Sequence, residues 1–178
     1  GSDDRFRITP TTGYPERAIA LIQFDGGRCT GWLYGRDVVA TAGHCVHSGG
    51  AGGTWKTNVV VTPGADNIVI IDGAEVFVAP FGQCGAESLW SVRGWTRRGN
   101  EKYDYGIIKL NCNVGDTTGW FGYWWQAASL TGQTSFVDGY PGDKPLEQWA
   151  SNDQIRKTQS RQLFYENENF LRFRDRYQ

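Results

Sequence analysis

The chain has 178 residues, a formal net charge of −1 and 24 Gly, with eight Trp, eight Tyr and nine Phe. That length suits one domain or slightly more, and 39% hydrophobic residues are too many for a disordered chain. The balanced charge argues against nucleic acid as a partner, because phosphate binding needs a Lys/Arg excess. The longest apolar runs, 67–71 and 76–80, are interrupted by Asp72 and Glu75, so no membrane span is expected.

In chain order, short β-branched and aromatic runs alternate with Gly, Asn, Asp and Pro, the pattern of an all-β sandwich or barrel. Strands are expected over 17–24, 29–34, 37–42, 58–62, 68–71, 75–78 and 105–110, then over 134–139, 148–150 and 162–165. Turn signals fall at Asp25-Gly26-Gly27, Asp72-Gly73 and Pro141-Gly142-Asp143. The glycine-rich stretch 48–53 reads as a surface loop; no Gly-Lys-Ser/Thr follows it, so it is not a phosphate loop. The gap between the strand groups, 113–133, divides the chain into a first β lobe (1–115) and a shorter, partial second lobe (116–167). A divergent tail (168–178) reads as a terminal amphipathic helix or a frayed end.

Four Cys in such a chain could form disulfides, bind metal or stay free. No Cys-x-x-Cys occurs, and His44, Cys45 and His47 make an awkward ligand set because adjacent residues point apart in an extended chain. Two disulfides fit better and imply an oxidising, extracellular compartment. No charged and apolar leader opens the chain, so any signal peptide is expected to have been removed already.

Only His44 and His47 can supply imidazole chemistry. His44 lies in Thr41-Ala42-Gly43-His44-Cys45, just after the apolar Val38-Val39-Ala40. Gly43 permits a sharp turn, and a ring fixed there suits a general base, which must meet its proton within about 3 Å; a core His is the plainer alternative. Asp104 enters the apolar run Gly106-Ile107-Ile108 through Tyr105. A carboxylate there needs a donor, which an imidazole N–H supplies; the plainer alternative is a turn cap.

These segments resemble the His and Asp regions of the chymotrypsin-fold serine proteases, and more closely those of the bacterial glutamyl endopeptidases of V8 and Bacillus type. The resemblance runs through Ser2-Asp3-Asp4-Arg5, Ile8-Thr9, Cys29-Thr30-Gly31-Trp32 and the His44 loop. It continues through 100–108, Gly119-Trp120-Phe121-Gly122-Tyr123 and Gly139-Tyr140-Pro141-Gly142-Asp143-Lys144-Pro145. It implies an all-β, trypsin-like double β-barrel with the first barrel complete and the second partial. His44 corresponds to the general base and Asp104 to its orienting acid, while Cys29 and Cys45 correspond to the disulfide bracing the His loop. Cys84 and Cys112 have no counterpart general in the family and are expected to pair with each other. The aromatic cluster at 120–125 is expected to pack between the lobes rather than to form a sugar-binding face.

The chain departs from the family pattern after Asn167. The Gly-x-Ser-Gly segment that carries nucleophile and oxyanion donors does not appear, and Ser160, the last serine, has no glycine near it. The resemblance therefore implies a secreted serine endopeptidase cutting after Glu or Asp, here without its nucleophile and inactive as it stands. The alternative is a non-catalytic homologue acting as a binding or structural module. A polypeptide substrate is implied, with no nucleic acid or membrane partner, no cofactor and no metal. A dimer contact, a second chain or the segment 170–173 is expected to cover the open second barrel.

Overall fold

The computed structural model describes residues 3–72, 74–124, 126–159 and 162–165. Its strands are β1 (Phe6–Arg7), β2 (Ile19–Phe24), β3 (Gly27–Gly35), β4 (Val38–Thr41), β5 (Val60–Pro63) and β6 (Asp66–Ile71). They continue as β7 (Ala74–Val78), β8 (Cys84–Ser91), β9 (Gly106–Leu110), β10 (Thr134–Gly139), β11 (Trp149–Gln159) and β12 (Gln162–Tyr165). Among the described residues, two single-turn helices, α1 (Arg93–Thr96) and α2 (Gly115–Thr118), and three 3₁₀ turns complete the regular structure. The all-β expectation is borne out.

Six strands close a barrel in the order β2-β3-β4-β9-β8-β5, with β5 returning to β2. Closure removes exposed strand edges. The interior holds Ala18, Ala20, Ile22, Leu33, Val39, Val46, Val61, Ile108 and Leu110, all buried. Along β2 the alternate residues Ile19 and Leu21 face outward, yet they too are buried, against Ala65 and Tyr140. This is why β2 reads as a continuous apolar run: both of its faces are covered.

The second layer is an open sheet. The start of β11 lies between β10 on one edge and β1 on the other, and its far end pairs with β12. The open sheet is therefore not built from one contiguous stretch, since β1 near the N-terminus joins the later strands. Hydrogen bonds fasten this sheet to the barrel. The Tyr140 hydroxyl donates to the Ala65 carbonyl (2.9 Å), and the Tyr140 N–H donates to Thr30 Oγ1 (2.8 Å). Arg28 donates to the carbonyls of Pro141 and Lys144 (2.8 and 2.7 Å). The Pro-Gly-Asp-Lys-Pro turn read from the sequence is thus a fixed joint between the two layers.

Four sequence expectations need correction. The strand at 148–150 extends much further, as Trp149–Gln159, and β8 was not foreseen at all. Arg17 and Ala18 belong to a 3₁₀ turn, not to the strand that follows. The aromatic cluster does not pack as a unit: Phe121 reaches both apolar clusters, but Trp120, Tyr123 and Trp124 are 47%, 79% and 69% exposed. Ser160, the tail 168–178 and its 170–173 segment lie outside the described residues.

Candidate active site

β4 ends at Thr41, directly opposite Gly106 at the start of β9. In an antiparallel pair, chain leaving one strand emerges beside chain entering the other, so the segments carrying His44 and Asp104 meet at one barrel rim. His44 sits in the 3₁₀ turn Gly43–Cys45, and Asp104 caps the 3₁₀ turn Glu101–Tyr103. The Asp104 carboxylate holds His44 at two points: Oδ1 accepts from the backbone N–H at 2.7 Å, and Oδ2 lies 2.8 Å from ring Nδ1. With a carboxylate as acceptor, Nδ1 carries the proton and Nε2 keeps its lone pair.

The His44 side chain is 54% exposed, which removes the core-His alternative for it. That description belongs instead to His47, which is 5% exposed. His47 Nδ1 accepts the Gly49 N–H at 3.0 Å, and its ring meets Trp55 edge-on at 4.9 Å. Asp104 does cap a turn, as the plainer reading had it, but its side chain serves His44.

Cys29 and Cys45 form a disulfide from β3 to the residue after His44, and Cys84 and Cys112 form a second from the start of β8 to the chain beyond β9. The first fixes the His44 turn on its C-terminal side. Cys29, His44 and Cys45 lie close enough together to suggest a metal site. Both sulfurs are consumed in the disulfide, however, and a disulfide offers no thiolate to a metal.

A model of the family described as Trypsin matches residues 7–168. The chain belongs to the trypsin family. It is 40% identical over 166 residues to a glutamyl endopeptidase of Bacillus licheniformis, covering 93% of this chain and 49% of that protein. It is 35% identical over 173 residues to a protein of Bacillus subtilis named extracellular metalloprotease, covering 93% and 52%. The chain thus spans about half the length of these two relatives. Among solved structures, a Glu endopeptidase in complex with MPD aligns with a TM-score of 0.79 at 29% identity, covering 89% of this chain and 71% of that one. Protease Anisep from Arthrobacter nicotinovorans aligns with a TM-score of 0.68 at 25% identity, covering 86% and 68%. These matches bear out both the glutamyl endopeptidase resemblance and the trypsin-like fold.

Sequence reasoning missed one residue beside the site. Trp95, on α1, packs its ring near His44, with centroids 6.5 Å apart. Nothing in Arg93-Gly94-Trp95 marks it; only folding brings it there.

Proposed function

We propose that this trypsin-family chain carries the base and orienting acid of a secreted serine endopeptidase that cuts polypeptides after Glu or Asp. His44 Nε2 takes the proton of a hydroxyl nucleophile and returns it to the leaving amine. Asp104 fixes the tautomer and supports the imidazolium that forms. The observation that carries this reading is the two-point hold of Asp104 on the backbone and ring of His44. The family relationship supports acyl-transfer chemistry, and the acidic preference rests on the glutamyl endopeptidase relatives. Two disulfides support secretion. The division into lobes at 1–115 and 116–167 follows the same family pattern.

The 178 residues contain no Gly-x-Ser-Gly. This polypeptide alone is therefore expected not to cleave a peptide after Glu; cleavage by a preparation free of contaminating protease would contradict that. The native protein, with any reading frame beyond Gln178, is expected to cleave it. There, Asp104→Asn should lower kcat by about 10⁴, the cost of the wrong tautomer. A native protein that ends at Gln178 and binds without cleaving would favour the non-catalytic homologue.

A further inference from the structure

The β4–β9 ladder stops at Thr41 and Gly106, before either member of the His44–Asp104 pair. Beyond that point, something other than the barrel must hold the two segments in register. We infer that Trp95 is this positioning residue, an inference that rests on the base–acid reading above. Its indole is 9% exposed and lies between two glycines. A Cβ on Gly43 would stand 2.8 Å from Trp95 Cδ1, and a Cβ on Gly49 would stand 2.8 Å from Cζ2. Gly43 immediately precedes His44, and its absent side chain leaves room for both the indole and Asp104 Oδ1, which would lie 2.9 Å from that Cβ. Gly49 also takes φ +83°, so both glycines of this slot are demanded by geometry.

Hydrogen bonds lock the ring in the slot. Trp95 Nε1–H donates to the His47 carbonyl at 2.8 Å, and the Trp95 carbonyl accepts the N–H groups of Gly50 (3.0 Å) and Gly99 (2.9 Å). From Trp95 the chain runs rigidly toward Asp104. Asn100 N–H donates to the Gly94 carbonyl (3.0 Å), Gly94 packs against the Tyr103 ring, and Asp104 N–H donates to the Glu101 carbonyl (3.1 Å). The buried indole therefore ties the His44 turn to the 48–53 loop, and the backbone of the same residue and of Gly94 carries the connection on toward Asp104. That makes the 48–53 loop a brace for the pair as well as a surface turn.

The test is NMR on the 178-residue chain with ¹⁵N-labelled histidine. It reads the His44 ring nitrogen shifts, which report the tautomer, and the water-exchange rate of its Nδ1–H. Trp95→Leu should raise that exchange rate by about tenfold or more, as expected when a buried hydrogen-bonded anchor is lost. Amides of the barrel strands should keep their exchange rates. Trp95→Phe keeps an aromatic ring in the slot but loses the tie to His47 and part of the indole's volume, so it should retain the tautomer with an intermediate exchange rate. Asp104→Asn separates the two ideas. If it abolishes the Nδ1–H signature while a folded Trp95→Leu chain leaves it unchanged, the positioning role is overturned and the base–acid reading stands. If Asp104→Asn itself changes nothing, the base–acid reading fails. Should Trp95→Leu not fold, Trp95→Phe decides: faster exchange supports the inference, and unchanged exchange overturns it.

Discussion

The closed barrel and the open sheet solve the same problem with different completeness. Inside the barrel every strand edge is paired, and apolar side chains such as Leu33, Val39 and Ile108 are fully buried. In the sheet, among the described residues, polar atoms are buried without a hydrogen-bond partner: Asp138 Oδ1, Gln148 Oε1, Trp149 Nε1 and Asp153 Oδ2. All four belong to β10, β11 or the turn between them. On the same sheet the large ring of Phe136 is 70% exposed. The barrel thus carries its own core, while the sheet borrows order from the barrel through Tyr140, Arg28 and Gln148. The His44–Asp104 pair sits on the self-sufficient part, at the rim where β4 and β9 end.

The largest expected contrast comes from truncating the barrel core. Leu33→Ala should cost about 4 kcal/mol, because the transfer energy is lost and a cavity is left in a close-packed interior. Denaturant unfolding measures this, and a loss below about 1 kcal/mol would mean the barrel core is no better packed than the sheet.

Next in size is the buried carboxylate of the sheet. Burial, with the Glu16 charge nearby, pushes Asp138 up from an ordinary 3.8 to about 7. The folded state therefore keeps a proton that the unfolded chain releases above about pH 4. Stability from this group is fully present below that value and is lost as pH rises through about 7. Asp138→Asn should remove this decline and stabilise the chain at pH 8 by up to about 3 kcal/mol. A stability profile with the same slope in the variant would show that Asp138 is not the buried acid.

A smaller effect of opposite sign belongs to the N-terminal segment. Arg5 is buried and donates to Asp3 and Asp143, while Lys144 also pairs with Asp3. The Arg5 hydrogen bonds hold both carboxyls below the usual carboxylate range. This contribution is present above that range and is lost as pH falls through it. Arg5→Ala should lower stability at neutral pH by less than Asp138→Asn raises it, because solvent screens the exposed carboxylates, and should flatten the acid limb. An unchanged acid limb would break the assignment.

The barrel was more legible in the sequence than the sheet, and the reason is burial. Strands β2, β3, β4 and β9 bury apolar residues on at least one face, so their pattern shows in the sequence. β8 was missed because Cys84-Gly85-Ala86-Glu87-Ser88 has little β propensity; it is a strand because it fills the gap between β5 and β9. β11 runs past the expected 148–150 because the ladder with β10 holds the polar, weakly β-forming Ser151-Asn152-Asp153-Gln154 extended. At the candidate site, His44 and Asp104 were legible because each sits in a short local motif, whereas the Cys29–Cys45 pairing came only through the family resemblance. Trp95 was not, since its importance depends on Gly43, Gly49 and His47 converging on it from other loops.

The smallest expected effect tests whether the open sheet is as bare as it looks. Phe136 lies on β10, opposite Asn152 on β11, with most of its ring facing outward. A side chain so exposed has little apolar area left to lose, so Phe136→Ala should change stability by no more than about 0.5 kcal/mol. Denaturant unfolding across a wide range of protein concentration reads this directly. A cost above about 1 kcal/mol that grows with concentration would mean a second copy covers the ring, since binding to the native state stabilises by mass action. The same cost without concentration dependence would mean that residues of this chain cover it. Either result would turn the contrast between barrel and sheet from one of packing into one of partnership: the barrel closes on itself, and the sheet closes on something else.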